Sequence, residues 1–180
     1  MKVIRRIWQS HLVRNAVFVG WTYATSEFAQ QTILGENYDV TKMQNSAIWG
    51  LCIYGPGNYI WYKFLDRFMP GKSLQVALKK VVLEKLTVSP TWCAGFYIVQ
   101  SILERRPDIF AEAKQKMVPT YFVGCAFWIP AQTINFLFVP HVYRLVYLGT
   151  AAFLWANFLC FMRRQSTVPL ASSAFSYTSD

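Results

Sequence analysis

MVPTYFVGCAFWIPAQTINFLFVPHVY, residues 117–143, runs for 27 residues without a single Asp, Glu, Lys or Arg. About 20 predominantly apolar residues cross a bilayer as a helix, so this block is long enough to span. Other blocks repeat the pattern: residues 86–103 and 145–162 hold 18 charge-free residues each, and residues 43–62 hold 20. A further window, residues 15–35, has 21 residues with Glu27 as its one charge. A carboxylate in hydrocarbon is costly, so that window spans only where Glu27 faces protein or water.

Composition agrees with a membrane chain. Of 180 residues, 54% are hydrophobic and 17% aromatic, and only 15% are charged, against about 25% in soluble domains. Collagen-like and disordered classes are excluded by the aromatic content and the few glycines and prolines. The expected fold is all-α, a polytopic transmembrane helical bundle forming one integral membrane domain over residues 1–165. The Ser/Thr-rich stretch 166–180 reads as a disordered tail.

The formal net charge is +9. Its basic residues cluster between the apolar blocks instead of forming a continuous face with a recognition motif, which argues against nucleic acid as a partner. Cys52, Cys93, Cys125 and Cys160 form no CxxC pair and stand beside only two histidines. A metal site or disulfide framework is therefore not expected, and each cysteine reads as a small hydrophobe in a packed core.

Four spans, at about 15–35, 46–65, 87–104 and 118–138, place 13 basic residues on one side and 5 on the other, with both termini on the basic side. Letting 145–162 span as well makes the division 11 to 7, so four spans are better polarised. Five remain open, with 145–162 either interfacial or a fifth helix. Before the third span, Leu74, Ala77, Leu78, Val81 and Val82 form an apolar stripe and predict an amphipathic helix at the membrane surface. Pro90 permits a bend into the span, Pro107 marks a turn, and Pro119, Pro130 and Pro140 punctuate the next block. The acid-free start, with Val3, Ile4, Ile7, Trp8 and Leu12 on one face, reads either as a mitochondrial targeting segment or as an interfacial helix.

Polar residues inside apolar blocks are the candidate functional positions. Gly20, Ala24, Glu27 and Gln31 share one helix face, and Gly124, Trp128, Gln132 and Asn135 share another. Glu27, Gln31, Gln132 and Asn135 are the candidate pore or bundle-interior residues; the plainer role for each is bonding within the bundle. Glu84, one turn after Lys80, is expected to pair with it. No catalytic residue, cofactor or metal is indicated: His11 and His141 come without a nucleophile motif or ligand spacing. Gly55-Pro56-Gly57 lacks the Lys and Ser or Thr of a phosphate loop and reads as a kink.

Residues 55–66, GPGNYIWYKFLD, resemble the GPxxHxWYxxLD signature of the Mpv-seventeen and 22-kDa peroxisomal membrane protein family through Gly55, Pro56, Trp61 and Tyr62. In the fourth block, Trp128, Pro130, Gln132, Asn135, Phe136, Pro140 and Arg144 are similar to the family's WPxxQxxNFxxVPxxxR pattern. Trp8, Gln30 and Trp155 match weaker positions. The resemblance implies an integral helical protein of the mitochondrial inner membrane or the peroxisomal membrane, conventionally drawn with four spans. It also implies channel activity, attributed to some members, and no enzymatic activity. Three positions depart from the pattern: Tyr59 stands for the usual His, Ser26-Glu27 for Gly-Asp, and Glu84-Lys85 for Asp-Gln. Losing the histidine removes a group that titrates near neutral pH.

Two functions follow as expectations. One is a mitochondrial inner-membrane channel or channel-like protein for small solutes, with Glu27, Gln31, Gln132 and Asn135 facing its interior. The other is a non-conducting scaffold that organises lipids or partner proteins. The partners indicated are the lipid bilayer, cardiolipin within it, and further copies of the chain.

Overall fold

A computed structural model describes residues 11–71, 73–139 and 143–165. The basic N-terminal segment and the 166–180 tail lie outside these. Seven helices make up the described chain: α1 (His11–Ile33), α2 (Val40–Ile48), α3 (Gly55–Phe68), α4 (Leu74–Thr87), α5 (Ser89–Leu103), α6 (Ala111–Leu137) and α7 (Arg144–Arg164). No strand occurs among the described residues. The all-α expectation is met.

These helices assemble into five rods. A π-helical turn, Trp49–Tyr54, joins α2 to α3 without a break. Pro56 explains it: a proline ring in an ordinary helix collides with the carbonyl four residues back, and widening the preceding turn relieves the collision. The proline also falls in the first turn of α3, where its missing N–H matters least. Likewise α4 passes into α5 through Val88, which is helical in φ and ψ, and Pro90 sits in the first turn of α5. Contrary to the punctuation expected of them, Pro119 and Pro130 both lie within an unbroken α6. At 1.5 Å per residue the rods are roughly 30 to 45 Å long, enough to cross the ~30 Å of a bilayer's hydrocarbon core.

Rod directions follow from their contacts. Ser26 Oγ donates to the Phe153 carbonyl at 3.3 Å and Gln30 Nε2 to Asn157 Oδ1 at 3.2 Å, while Gly149 faces the Phe18 ring. So α1 and α7 run parallel, in register over most of their length. The block 145–162, set aside by the four-span reading, is therefore a full rod packed along α1. The start of α1 and the end of α7 consequently lie at opposite ends of the bundle, where four spans pair the termini on one side. Charge counting missed this because it weighed Arg163 and Arg164 as loop residues.

Close approach of α1 to the π turn depends on small residues. A β-carbon at Gly50 would lie 2.9 Å from the Val19 carbonyl oxygen, and one at Gly55 would lie 2.8 Å from the Ala16 Cα. Both are backbone contacts that no rotamer change relieves.

Polar and apolar surfaces are arranged inside out. Among the described residues, 16 buried side chains are polar or charged and 16 are hydrophobic, while Trp21, Ile33, Phe68, Leu86 and Phe138 are among the large apolar groups facing outward. No described helix is by itself both long and apolar enough to cross a membrane. Two rods are divided into shorter helices, and α1 and α6 carry buried polar residues that lower their hydropathy.

Other details correct the sequence reading. Helix α4 packs along α6 as part of the bundle, with Ala77, Val81, Glu84 and Lys85 buried and Val82 outward. Lys80 pairs with Asp66 of α3 at 2.6 Å and not with Glu84. All four cysteines are free, but Cys52 is exposed on the outer face while Cys93 and Cys160 are buried.

Gly50→Val is expected to destabilise the protein by about 1–3 kcal/mol, the usual cost of overpacking, read as a lowered thermal midpoint in detergent. Ala47→Val, at a half-buried site without that backbone contact, should change it far less.

Candidate functional site

Three cavities among the described residues lie along the bundle. A cavity of about 760 Å³ occupies the end of the bundle formed by the start of α1, the end of α3, α4, the end of α6 and the start of α7. We call this the mouth. At the other end a cavity of about 270 Å³ is lined almost wholly by charged residues. Between them lies an aromatic block enclosing only about 40 Å³.

The aromatic block draws on every rod. Trp49 of the π turn meets Phe96 edge-on at 5.8 Å, Tyr54 meets Trp92 at 5.4 Å, and Trp128 meets Trp155 at 6.3 Å. Edge-to-face rings at these separations add attraction beyond the area they bury. Trp49 and Phe96 are each 1% exposed, so the block is closed to water in this conformation. Gly124 admits Trp155, whose ring would lie 3.0 Å from an added β-carbon. The indole N–H groups of Trp61 and Trp92 are buried without a hydrogen-bond partner.

At the charged end, α7 finishes in a clamp. Arg164 grips Glu27 of α1 and Glu36 of the following turn, and Arg163 grips Glu104 at the end of α5. Glu36 is brought into reach because Gly35, at φ 64°, reverses the chain after α1. Lys116 Nζ donates to Glu112 Oε1 at 3.0 Å and to the Arg163 carbonyl at 2.6 Å, which also satisfies the negative end of the α7 dipole. Arg106 completes the network, 2.9 Å from Glu104 and 3.6 Å from Glu112. Five basic and four acidic side chains line the cavity, so it is nearly neutral overall.

Around the mouth, the stretches that resemble the family signature converge. Tyr62 donates to Glu84 Oε2 at 2.6 Å, and Glu84 lies 3.6 Å from Lys85 Nζ. Lys85 stands 5.6 Å from the Trp128 ring centroid and donates to Ser89 Oγ at 3.1 Å. Tyr62, Tyr59, Trp128 and Gln132 all line the large cavity. Gly55 supports it from below, accepting through its carbonyl from Asn15 Nδ2 at 3.1 Å, and Trp61 stacks on Phe64. Pro56 and Pro130 lie in their helices without a break. Pro140 and the side chains of Phe136 and Arg144 lie outside the described residues.

The four candidate interior residues separate into two places. Glu27 lines the charged cavity, and Gln31 beside it is fully buried as a clasp: its amide oxygen accepts from the Asp39 N–H at 2.8 Å and its amide nitrogen donates to the Asp39 carbonyl at 3.1 Å. Gln31 thus holds the α1–α2 turn and lines no cavity. Gln132 lines the mouth at the opposite end, and Asn135 is buried with its Oδ1 unpartnered. Sequence reading missed Glu104, Glu112, Lys116, Arg163 and Arg164. Their signal lay in the Glu112–Lys116 spacing of four and in the Arg pair ending an apolar block.

The Mpv17 / PMP22 family model matches residues 101–160. An Mpv17-like protein of Xenopus laevis is 30% identical over 169 residues, covering 92% of this chain and 83% of that protein. Peroxisomal membrane protein PMP22 of Arabidopsis thaliana is 29% identical, covering 92% and 90%. Mitochondrial inner membrane protein Mpv17 of Xenopus laevis is 30% identical over 119 residues, covering 65% and 67%. No solved structure matches. With the signature residues Tyr62, Trp128 and Gln132 lining one cavity and 92% of its length aligned with an Mpv17-like protein at 30% identity, the chain belongs to the Mpv17 / PMP22 family of organelle membrane proteins.

Proposed function

We propose that this chain is a mitochondrial inner-membrane channel-like protein that gates the passage of small solutes, with five rods crossing the membrane and the aromatic block as its closed gate. The observation that carries the reading is the pair of cavities at opposite ends of one bundle, with a largely aromatic block and a residual 40 Å³ space between them. A polar interior inside an apolar exterior supports membrane immersion, since buried charge is tolerated there when paired. The peroxisomal membrane is the alternative site, because relatives named for each organelle match comparably. The lipid bilayer, with cardiolipin, and further copies of the chain are its proposed partners, and no enzymatic activity is assigned.

The roles of the two ends differ. Near-neutral charge and tight ion pairing at the clamp suit a filter that screens solutes by size and by weak charge preference. Its release requires α7 to part from Glu27, Glu36 and Glu104 together. The scaffold alternative rests on six basic residues between 63 and 85; of these Lys85 is buried in the bundle and Lys80 is paired with the exposed Asp66.

In planar bilayers containing cardiolipin, purified protein should give discrete current steps absent from a sham preparation. Trp155→Leu should raise the open probability several-fold by removing one wall of the aromatic block, with helix content unchanged by circular dichroism. Unaltered gating in that variant would remove the block from the gate. Silence of correctly folded wild-type protein across voltage, pH and redox conditions would favour the scaffold.

Glu27→Gln takes one negative charge from the clamp cavity. The reversal potential in a salt gradient should move toward that of the anion, and an unchanged value would deny Glu27 any part in the pathway.

A further inference from the structure

The mouth cavity has features that solute passage does not explain. Its charged lining groups are already paired within the protein, Lys80 with Asp66 and Lys85 with Glu84. Between these pairs the wall is mainly apolar, formed by Phe18, Val19, Leu148, Ala152, Trp155 and Val81. Small side chains contribute to the wall: Ala77 on α4 and Gly149 and Ala152 on α7 all line the cavity. Outside, the rim is strongly basic. Arg14, Lys63, Arg67 and Lys79, each exposed, adjoin in sequence the lining residues Asn15, Tyr62, Asp66 and Lys80, and the carboxylate of Asp66 is paired with Lys80.

An apolar interior under a cationic rim is the complement of one kind of molecule. We propose that the mouth binds a single-chain anionic amphiphile, a long-chain fatty acid, with its chain in the cavity and its carboxylate at the basic rim. Ligand sites are commonly cavities of about 300–1,000 Å³ with mainly apolar walls, and 760 Å³ falls in that range. Taking ~30 Å³ for each water-sized group, an 18-carbon chain needs roughly 540 Å³ and two such chains roughly 1,080 Å³, so one chain fits and a two-chain phospholipid does not. The inner end of the cavity is bounded by Trp128 and Trp155, so the chain terminus comes to rest against the aromatic block. This inference rests on the cavity alone and holds whether or not the protein conducts.

Tryptophan quenching by doxyl-labelled stearate, with the protein in phosphatidylcholine nanodiscs, tests it. A saturable component should appear at one label per chain, displaced by oleate. A label at carbon 16 should quench more strongly than one at carbon 5, because it lies nearer Trp128 and Trp155. Ala152→Phe and Ala77→Leu, which fill the cavity from opposite walls, should each abolish the saturable component while retaining the wild-type melting midpoint. Replacing Arg14, Lys63, Arg67 and Lys79 together by Gln should weaken oleate binding about tenfold or more, given the attraction of clustered basic residues for anionic head groups. Oleyl alcohol should displace the probe equally from both proteins. Non-saturable quenching alone, unchanged binding in both filled variants, or unchanged oleate affinity in the rim variant would each overturn the proposal. Displacement by phosphatidylglycerol as effective as by oleate would overturn the single-chain assignment.

Discussion

Charge buried inside an apolar exterior must be neutralised in place, and the arrangement of this bundle follows from how that is done at the end of α7. Arg163 and Arg164 reach carboxylates on α1, on the turn after it and at the end of α5, while the final carbonyls of α7 receive Lys116 from α6. Removing one partner of a buried pair leaves an uncompensated charge, which is far more damaging than losing the pair entirely. Four elements are thereby fixed to one another at a single level. With its end held there, α7 has to run beside α1 in the same direction, and the last apolar block becomes a rod of the bundle.

The opposite end is organised by shape more than by charge. The π turn before Pro56 and the bare backbone at Gly50 and Gly55 allow the second rod to lie against α1. That approach places Trp49 and Tyr54 in the middle of the bundle, where they meet Trp92 and Phe96. Beyond them lies the mouth cavity, with Ala77 of α4 and Gly149 and Ala152 of α7 among its lining residues. The aromatic block, the charged cavity and the mouth are therefore consequences of one packing arrangement.

Much of this was legible in the sequence. Four charge-free blocks and the 15–35 window with its single Glu27 fall on the five rods, although charge polarity favours four spans, and of Gly20, Ala24, Glu27 and Gln31 on the expected face of α1 all but the half-buried Ala24 are buried. The signature residues Tyr62, Trp128 and Gln132 marked the wall of the mouth. What escaped was pairing across the bundle. Glu84 was matched to its neighbour along the helix, Lys80, but tertiary contacts assign it to Tyr62 and Lys85. Glu112, Lys116 and Arg163 stood beside apolar blocks, where composition cannot distinguish a solvated loop charge from one turned into the interior. Gln31 is buried as its helix face implied, and its amide bonds to Glu27 and to the Asp39 backbone, the plainer of the two roles expected of it. Such distinctions depend on which rods adjoin, and periodicity within a single helix carries no information about that.

The sidedness of the rods tests this architecture most directly. With the four native cysteines replaced by alanine, a single cysteine at Arg14 or at Gln165 is labelled in sealed vesicles with a membrane-impermeant maleimide, both positions being exposed. Five rods put Arg14 and Gln165 on opposite faces, so one should label without permeabilisation and the other only after it. Labelling of both from the same face would contradict the parallel course of α1 and α7 on which the bundle depends.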